Sequence, residues 1–382
     1  MSPVDPNPTT LPQDDLAPGT MIGQWRVERE LGRGGMGTVY AVRHVEIGKS
    51  AALKLVHRDM MGGSIDAASV LVEARAVNAF SHPNVVDIFE SGTMPDGRPY
   101  LVMERLEGRT LGDRHAESRM SAVEAIDYLL PLCDALAAAH EAGIVHRDIK
   151  LDNVFLAEER PRTGGRGTTT VKLVDWGVAS INVGTDGSSG DTLTIGTPRY
   201  VAPEQVKGEG VTAASDIYAL GVVAYELFLE EPPFNATTTA ELLLAHVNDA
   251  PPMPHEVWPK IPPVLEELLL AMLCKNPAAR PSARRVAAVL TEVRDQLRER
   301  LTGSIAMPVS RLALASGGAR SRQVGSDPTL PVISVERGRP WRWLLAAALI
   351  AGVFGARELV ASHGSSLPAA AAALASPAEA EA

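Results

Sequence analysis

Cysteine is almost missing from this chain. Of 382 residues only Cys133 and Cys274 carry a thiol, and no Cys-x-x-Cys occurs. That pattern suggests neither a zinc site nor a disulfide framework, and it fits a reducing compartment for a catalytic domain. Both cysteines are expected in apolar helices. An excess of positive charge is missing too. Lys and Arg number 36 against 46 Asp and Glu, a formal net charge of −10, which argues against nucleic-acid binding by the chain as a whole. No internal repeat is visible. No signal peptide opens the chain; residues 1–24, rich in Pro, Asp and Thr at their start, are expected to form a disordered tail. Hydrophobic residues make up 45% of the chain, enough for the core of one large domain with tails.

The most informative stretch is His146-Arg147-Asp148-Ile149-Lys150-Leu151-Asp152-Asn153. Asp148 can accept a proton from an attacking hydroxyl. Lys150 can steady a phosphoryl group in transfer, and Asn153 can hold a magnesium ion. Together they supply what phosphoryl transfer from ATP to an alcohol requires. Upstream lies Leu31-Gly32-Arg33-Gly34-Gly35-Met36-Gly37-Thr38-Val39, a G-x-G-x-x-G run whose glycines let backbone N–H groups approach phosphate oxygens. The same run also marks dinucleotide-binding βαβ units. Here the flanks Trp25–Leu31 and Thr38–Val42 read as two strands, which favours a strand–turn–strand loop. Ala52-Leu53-Lys54 follows on a short apolar strand. A buried lysine needs a partner, and Lys54 is expected to grip the α and β phosphates. Its acidic partner is sought on a helix expected over 64–80, with Glu73 preferred and Asp66 the alternative at the helix start. Downstream, the strand from Val171 is expected to end in Asp175, a hard oxygen ligand suited to magnesium. Gly196 to Tyr200, Ala202-Pro203-Glu204, Asp216 and Arg280 come next in order. Glu204 and Arg280 are expected to pair. Asp216 is expected to hold the backbone of the catalytic loop.

This set, in this order, resembles the bacterial, eukaryotic-like serine/threonine protein kinases from about Trp25 to about Arg298. The resemblance implies an α+β, two-lobed fold over residues 25–300. A β-rich lobe with one helix spans 25–106 and a mainly helical lobe spans 107–300. It implies ATP and Mg²⁺, with transfer of the γ-phosphate to Ser or Thr of protein substrates. The catalytic group is then Asp148, Lys150 and Asn153, and the metal ligands are Asn153 and Asp175. ATP would be bound by Leu31 to Val39, Ala52, Lys54, Glu73, Met103 as gatekeeper, and the hinge residues Glu104, Arg105 and Leu106. Lys150 points to the Ser/Thr class, and Thr197 matches the threonine that contacts Asp148 and Lys150. Two departures stand out. Trp176 replaces the usual Phe between Asp175 and Gly177, where it would pack near Val77. Residues 158–168 make an unusually long Gly/Arg-rich hairpin loop. Thr192 and Thr194 are expected sites of autophosphorylation on the activation segment, carried out in trans by a homodimer. Arg147 is placed to meet such a phosphate.

Beyond residue 301 the composition shifts to a Gly/Ser/Pro/Arg linker through 340. Trp343 to Ala356 is a run of fourteen uncharged residues. At about 1.5 Å per residue this is about 21 Å of helix, short of a hydrocarbon core of about 30 Å. Extension to Val360 with snorkelling ends makes residues 341–360 a candidate membrane span, the alternative being an amphipathic or buried helix. Arg337, Arg339 and Arg342 would then keep the catalytic domain cytoplasmic, with the Ala-rich tail 361–382 outside. Two other functions compete: a pseudokinase scaffold, and a small-molecule phosphotransferase. The first should lack Lys54, Asp148, Asn153 or Asp175. The second should lack the Ala202–Glu204 and Gly196–Tyr200 stretches.

Overall fold

The computed structural model describes residues 15–58, 80–159, 167–176 and 198–303. The first lobe is a six-stranded antiparallel sheet of order β1-β2-β3-β4-β6-β5. Its strands are β1 (Met21–Ile22), β2 (Trp25–Arg33), β3 (Gly37–His44), β4 (Ser50–Val56), β5 (Ile88–Thr93) and β6 (Pro99–Met103). Strand alternation divides the side chains between two cores. Ala51, Leu53 and Leu55 of β4, with Tyr100 and Val102 of β6, face an outer core around Trp25 and Tyr40. Ala52 and Val56, with Leu101 and Met103, face inward and join the core of the second lobe. Lys54 shares the period of Ala52 and Val56. The pleat therefore puts its ammonium on the inner face, where it is only 5% exposed.

Residues 15–24 correct the expectation of a disordered tail. Leu16 packs on the outer core, β1 pairs with β2, and the N–H of Gly19 donates to Val27 O at 2.8 Å. Apolar Leu16 and Ile22 have a sheet face to cover, which the Pro- and Asp-rich composition concealed.

The second lobe opens with β7 (Gly108–Thr110), which pairs with β8 (Val154–Glu159), itself paired with β9 (Thr168–Leu173). Its helices are α1 (Leu111–Glu117), α2 (Ala122–Glu141), α3 (Pro203–Val206), α4 (Ala213–Leu229), α5 (Thr239–Asn248), α6 (Pro254–Val257), α7 (Pro263–Met272) and α8 (Ala283–Gly303). α4 is buried from Ser215 to Leu229. That is why its sequence is apolar all round. It starts at Ala213, three residues before the Asp216 expected from sequence, because Thr212 caps it and exchanges hydrogen bonds with Ser215. Ser121 caps α2 by accepting from the N–H of Glu124. Cys133 is buried in α2, but Cys274 lies past the end of α7 and is half-buried, against expectation. β9 stops at Leu173, two residues short of Asp175.

The expected helix over 64–80, with Asp66, Glu73 and Val77, lies outside the described residues except for Phe80, which is not helical. Outside them too are Gly177, Thr192, Thr194, Gly196, Thr197, the centre of the 158–168 loop and the apolar segment 341–360. The arms of that loop belong to the β8–β9 hairpin, paired out to Glu159 and Thr168. Among the described residues, no helix is long and apolar enough to cross a membrane.

Candidate active site

The catalytic loop follows α2 and is fixed from below by one buried carboxylate. Asp216, at the start of α4, accepts from the backbone N–H of His146 at 2.8 Å and of Arg147 at 2.7 Å. His140 Nε2 lies 2.8 Å from the same carboxylate. The loop needs this support, because Arg147 has φ of 72°. A left-handed non-glycine residue costs on the order of 1–3 kcal/mol unless its surroundings hold it. Gln205 of α3 adds a hydrogen bond to the carbonyl of Arg147. His146 is fully buried, with Nε2 3.1 Å from Val174 O, and its ring nitrogen Nδ1 accepts from the N–H of Asp148. Burial lowers its pKa and favours the neutral ring.

Three expected residues meet at Asp148. Lys150 Nζ donates to Asp148 Oδ2 at 2.7 Å. Asn153 Nδ2 donates to the same oxygen at 2.9 Å and to Asp148 O at 2.8 Å. The β8–β9 register, Val154 opposite Leu173, sets Asn153 beside the segment that leads into Asp175. The N–H of Val174 closes this link on Asn153 O at 2.9 Å.

Asp175 has φ of 59° and meets Lys54 from the other lobe, Nζ to Oδ1 at 2.9 Å. Burial works against ionisation of Asp175, but the Lys54 ammonium outweighs it and holds the carboxyl below its usual range. Lys54 was expected to pair with Glu73; among the described residues its partner is Asp175. The donor set also fits magnesium. With Asn153 Nδ2 committed to Asp148, its Oδ1 is the atom left to meet a cation. Asp175 offers a carboxylate. Among the described residues, no cluster of three or more His, Cys, Asp or Glu side chains could hold a metal. Two protein oxygens completed by phosphates and water is the usual manner of Mg²⁺.

The glycine-rich loop joins β2 to β3. A Cβ at Gly37 would lie 2.4 Å from Leu55 O, so only glycine lets β3 pass β4 there. Gly32 and Gly35 would meet nothing within 4 Å, so their backbone is open to a ligand. Thr38 is buried against His57, at 2.9 Å, while Leu31 is exposed. Val39 pairs with Lys54, and Ala52 with Met103, across the inner face. Arg33, Gly34 and Met36 complete the loop. Beyond Met103 the chain passes through Glu104, Arg105 and Leu106, all half-buried. Glu104 turns its carboxylate to Lys172 Nζ, 2.6 Å, and to the N–H of Asp87, and its own N–H donates to Asp87 O. Its side chain is a brace behind the hinge.

Further structure was not visible in the motifs. Trp176, 4% exposed, packs edge-on to Phe80 at 5.3 Å and tilted on His146 at 4.7 Å. Among the described residues, its buried indole N–H meets no acceptor. Glu204 and Arg280 do pair, as a two-pronged bridge of 2.6 and 2.8 Å. Arg280 also donates to the carbonyls of Ala214, Cys274 and Lys275, and Ser215 donates to Glu204.

Comparison with known proteins bears on this geometry. Residues 25–289 match the protein kinase domain family. The chain belongs to the protein kinase family. Two relatives from Myxococcus xanthus are serine/threonine-protein kinases. Pkn1 is 37% identical over 332 residues, covering 87% of this chain and 46% of the relative. Pkn3 is 30% identical over 335 residues, covering 83% and 59%. The chain thus spans about half the length of the curated relatives it matches. The crystal structure of the Mycobacterium tuberculosis PknI kinase domain superposes with a TM-score of 0.58 at 25% identity, covering 73% of this chain and all of that one. The kinase fold, a sheet lobe on a helical lobe, is common to both.

Proposed function

We propose that this chain is an ATP-dependent serine/threonine protein kinase. The observation that carries the reading is the cluster in which Lys150 and Asn153 both donate to Asp148 Oδ2, beside the Lys54–Asp175 pair from the facing lobe. Asp148 accepts the proton of the attacking Ser or Thr hydroxyl. Lys150 balances charge on the transferring phosphoryl group, and Lys54 positions the α and β phosphates. Asn153 and Asp175 hold Mg²⁺, which when bound neutralises the phosphate oxygens. The glycine-rich loop covers the phosphates. Met103 and the backbone of Glu104 to Leu106 meet the adenine.

Protein rather than small-molecule substrates are favoured by the Pro198–Tyr200 and Ala202–Glu204 stretches, which are built into the fold. Tyr200 donates to the buried Glu226 at 3.0 Å, and Glu204 is locked by Arg280. A scaffold without catalysis is disfavoured because Lys54, Asp148, Asn153 and Asp175 are all present. Autophosphorylation at Thr192 or Thr194 in a homodimer, contact of Thr197 with the catalytic group, and a Lys54–Glu73 pair in the active state belong to the same reading. So does a single membrane span over 341–360 with the kinase domain on the cytoplasmic side, supported by the flanking arginines.

The test is transfer from radiolabelled ATP to a generic protein substrate, followed by phosphoamino-acid analysis. Label on Ser and Thr is expected. No transfer by the full chain with Mg²⁺, or label confined to a small molecule, would overturn the reading.

A further inference from the structure

The glycine-rich loop has few ties of its own. Within it, the N–H of Gly34 donates to Gly37 O at 2.9 Å, and its outer edge from Leu31 to Gly35 is exposed. Two ties come from outside it: the N–H of His57 donates to Met36 O at 3.0 Å, and a side-chain pair holds the exposed edge. Arg33, between Gly32 and Gly34, donates to Asp15 and, at 3.3 Å, to Glu30. Asp15 is not a loose surface acid: its side chain is 11% exposed, against 38% for Arg33. The segment that carries it is laced to the sheet. Leu16 packs on the outer core and its N–H donates to Tyr40 Oη at 3.1 Å. Gly19 and Thr20 then bracket Val27 with backbone hydrogen bonds of 2.8 and 2.9 Å. Asp15 is therefore held at a fixed point by Leu16, and its carboxylate in turn holds the arginine at the tip of β2.

We infer that Asp15 is a positioning residue for nucleotide binding, acting through Arg33 to order the glycine-rich loop before ATP arrives. The inference rests on the reading of that loop as the phosphate-binding element. A loop that must order around phosphates loses conformational freedom on binding, and a tether that orders it in advance lowers that cost. An exposed ion pair contributes little to overall stability. The effect should therefore appear in ATP affinity while melting and the saturated rate stay in place.

The experiment uses the full chain and reads MgATP affinity by calorimetry, with transfer at saturating MgATP measured beside it. Asp15→Asn is expected to weaken MgATP binding about two- to five-fold, the range of an exposed ion pair. The saturated rate should change less than about two-fold on the same basis. Asp15→Glu should restore affinity. The exchanged pair D15R/R33D should bind better than either single variant. The gap between wild type and Asp15→Asn should narrow at high salt, where surface charges are screened. Equal affinity of wild type and Asp15→Asn at low salt would overturn the inference, as would an exchanged pair no better than its weaker single variant. Wild type that binds MgATP but transfers nothing would instead count against the kinase reading, leaving the tether intact.

Discussion

The two loops that face each other across the cleft are built by opposite means. The catalytic loop, His146 to Asn153, sits on buried polar groups. Asp216 takes two of its backbone N–H groups, His146 is wholly enclosed, and Asn153 is bonded to both Asp148 and the backbone of Val174. The glycine-rich loop is exposed along its outer edge and held by the end of the β2–β3 ladder, one turn bond, one bond from His57 to Met36 O, and surface charges. On the proposed function, the groups that meet the reacting atoms are each held by several hydrogen bonds, whereas the edge that encloses phosphates is exposed and held by fewer. Precision is placed where misplacement is costly, and freedom where a substrate must enter and leave.

Substitutions can break this contrast. The largest effect is expected at Lys54 and Asp148. Lys54→Met should abolish transfer by misplacing the phosphates. Asp148→Asn should lower the rate by about 10²–10⁴, the usual contribution of a positioned general base. Next comes the framework under the catalytic loop. Arg280→Ala leaves Glu204 buried and unpaired, which should cost about 3–5 kcal/mol in denaturant unfolding. The same pair sets a pH dependence. Burial raises the pKa of Glu204, but hydrogen bonds from Arg280 and Ser215 prevail and leave it lowered. The contribution of the pair is therefore full above the unfolded carboxylate pKa of about 4.3 and is lost as pH falls through the lower folded value. An acid unfolding midpoint that is the same in wild type and Arg280→Ala would contradict this. The smallest effect is expected at Trp176→Phe. The change removes buried area but also an indole N–H that meets no acceptor among the described residues. An unsatisfied buried donor costs about 1–3 kcal/mol, so the two terms offset and stability should shift by less than about 1 kcal/mol. A loss of several kcal/mol would mean that the indole is held by more than packing.

Legibility in the sequence followed the same division. The strands around the glycine-rich loop, the helices of the second lobe and the Asp148 cluster were readable because each rests on local spacing. Asp148, Lys150 and Asn153 are near neighbours in the chain, so their meeting needs only a tight loop. The Glu204–Arg280 bridge joins residues 76 apart in sequence and was expected from the two fixed charges in the motif order. Contacts between segments with no shared motif leave no signal in the sequence: His140 on Asp216, Lys172 on Glu104, Asp15 on Arg33. Each joins a charge to a partner at least eighteen residues away, and a charged residue alone does not say whether water or another segment will meet it. α4 starts earlier than Asp216 although Ala213 to Ser215 carries no apolar period. Thr212 and its cap decide the boundary.

On the proposed function, Asp148 performs chemistry on a nucleotide that other residues bind. The most direct test of this is a paired measurement on Asp148→Asn, with MgATP affinity by calorimetry and phosphoryl transfer to protein by radiolabel. Affinity close to wild type with transfer reduced by about 10² or more is expected. Transfer at the wild-type rate, or loss of ATP binding in step with loss of transfer, would contradict it.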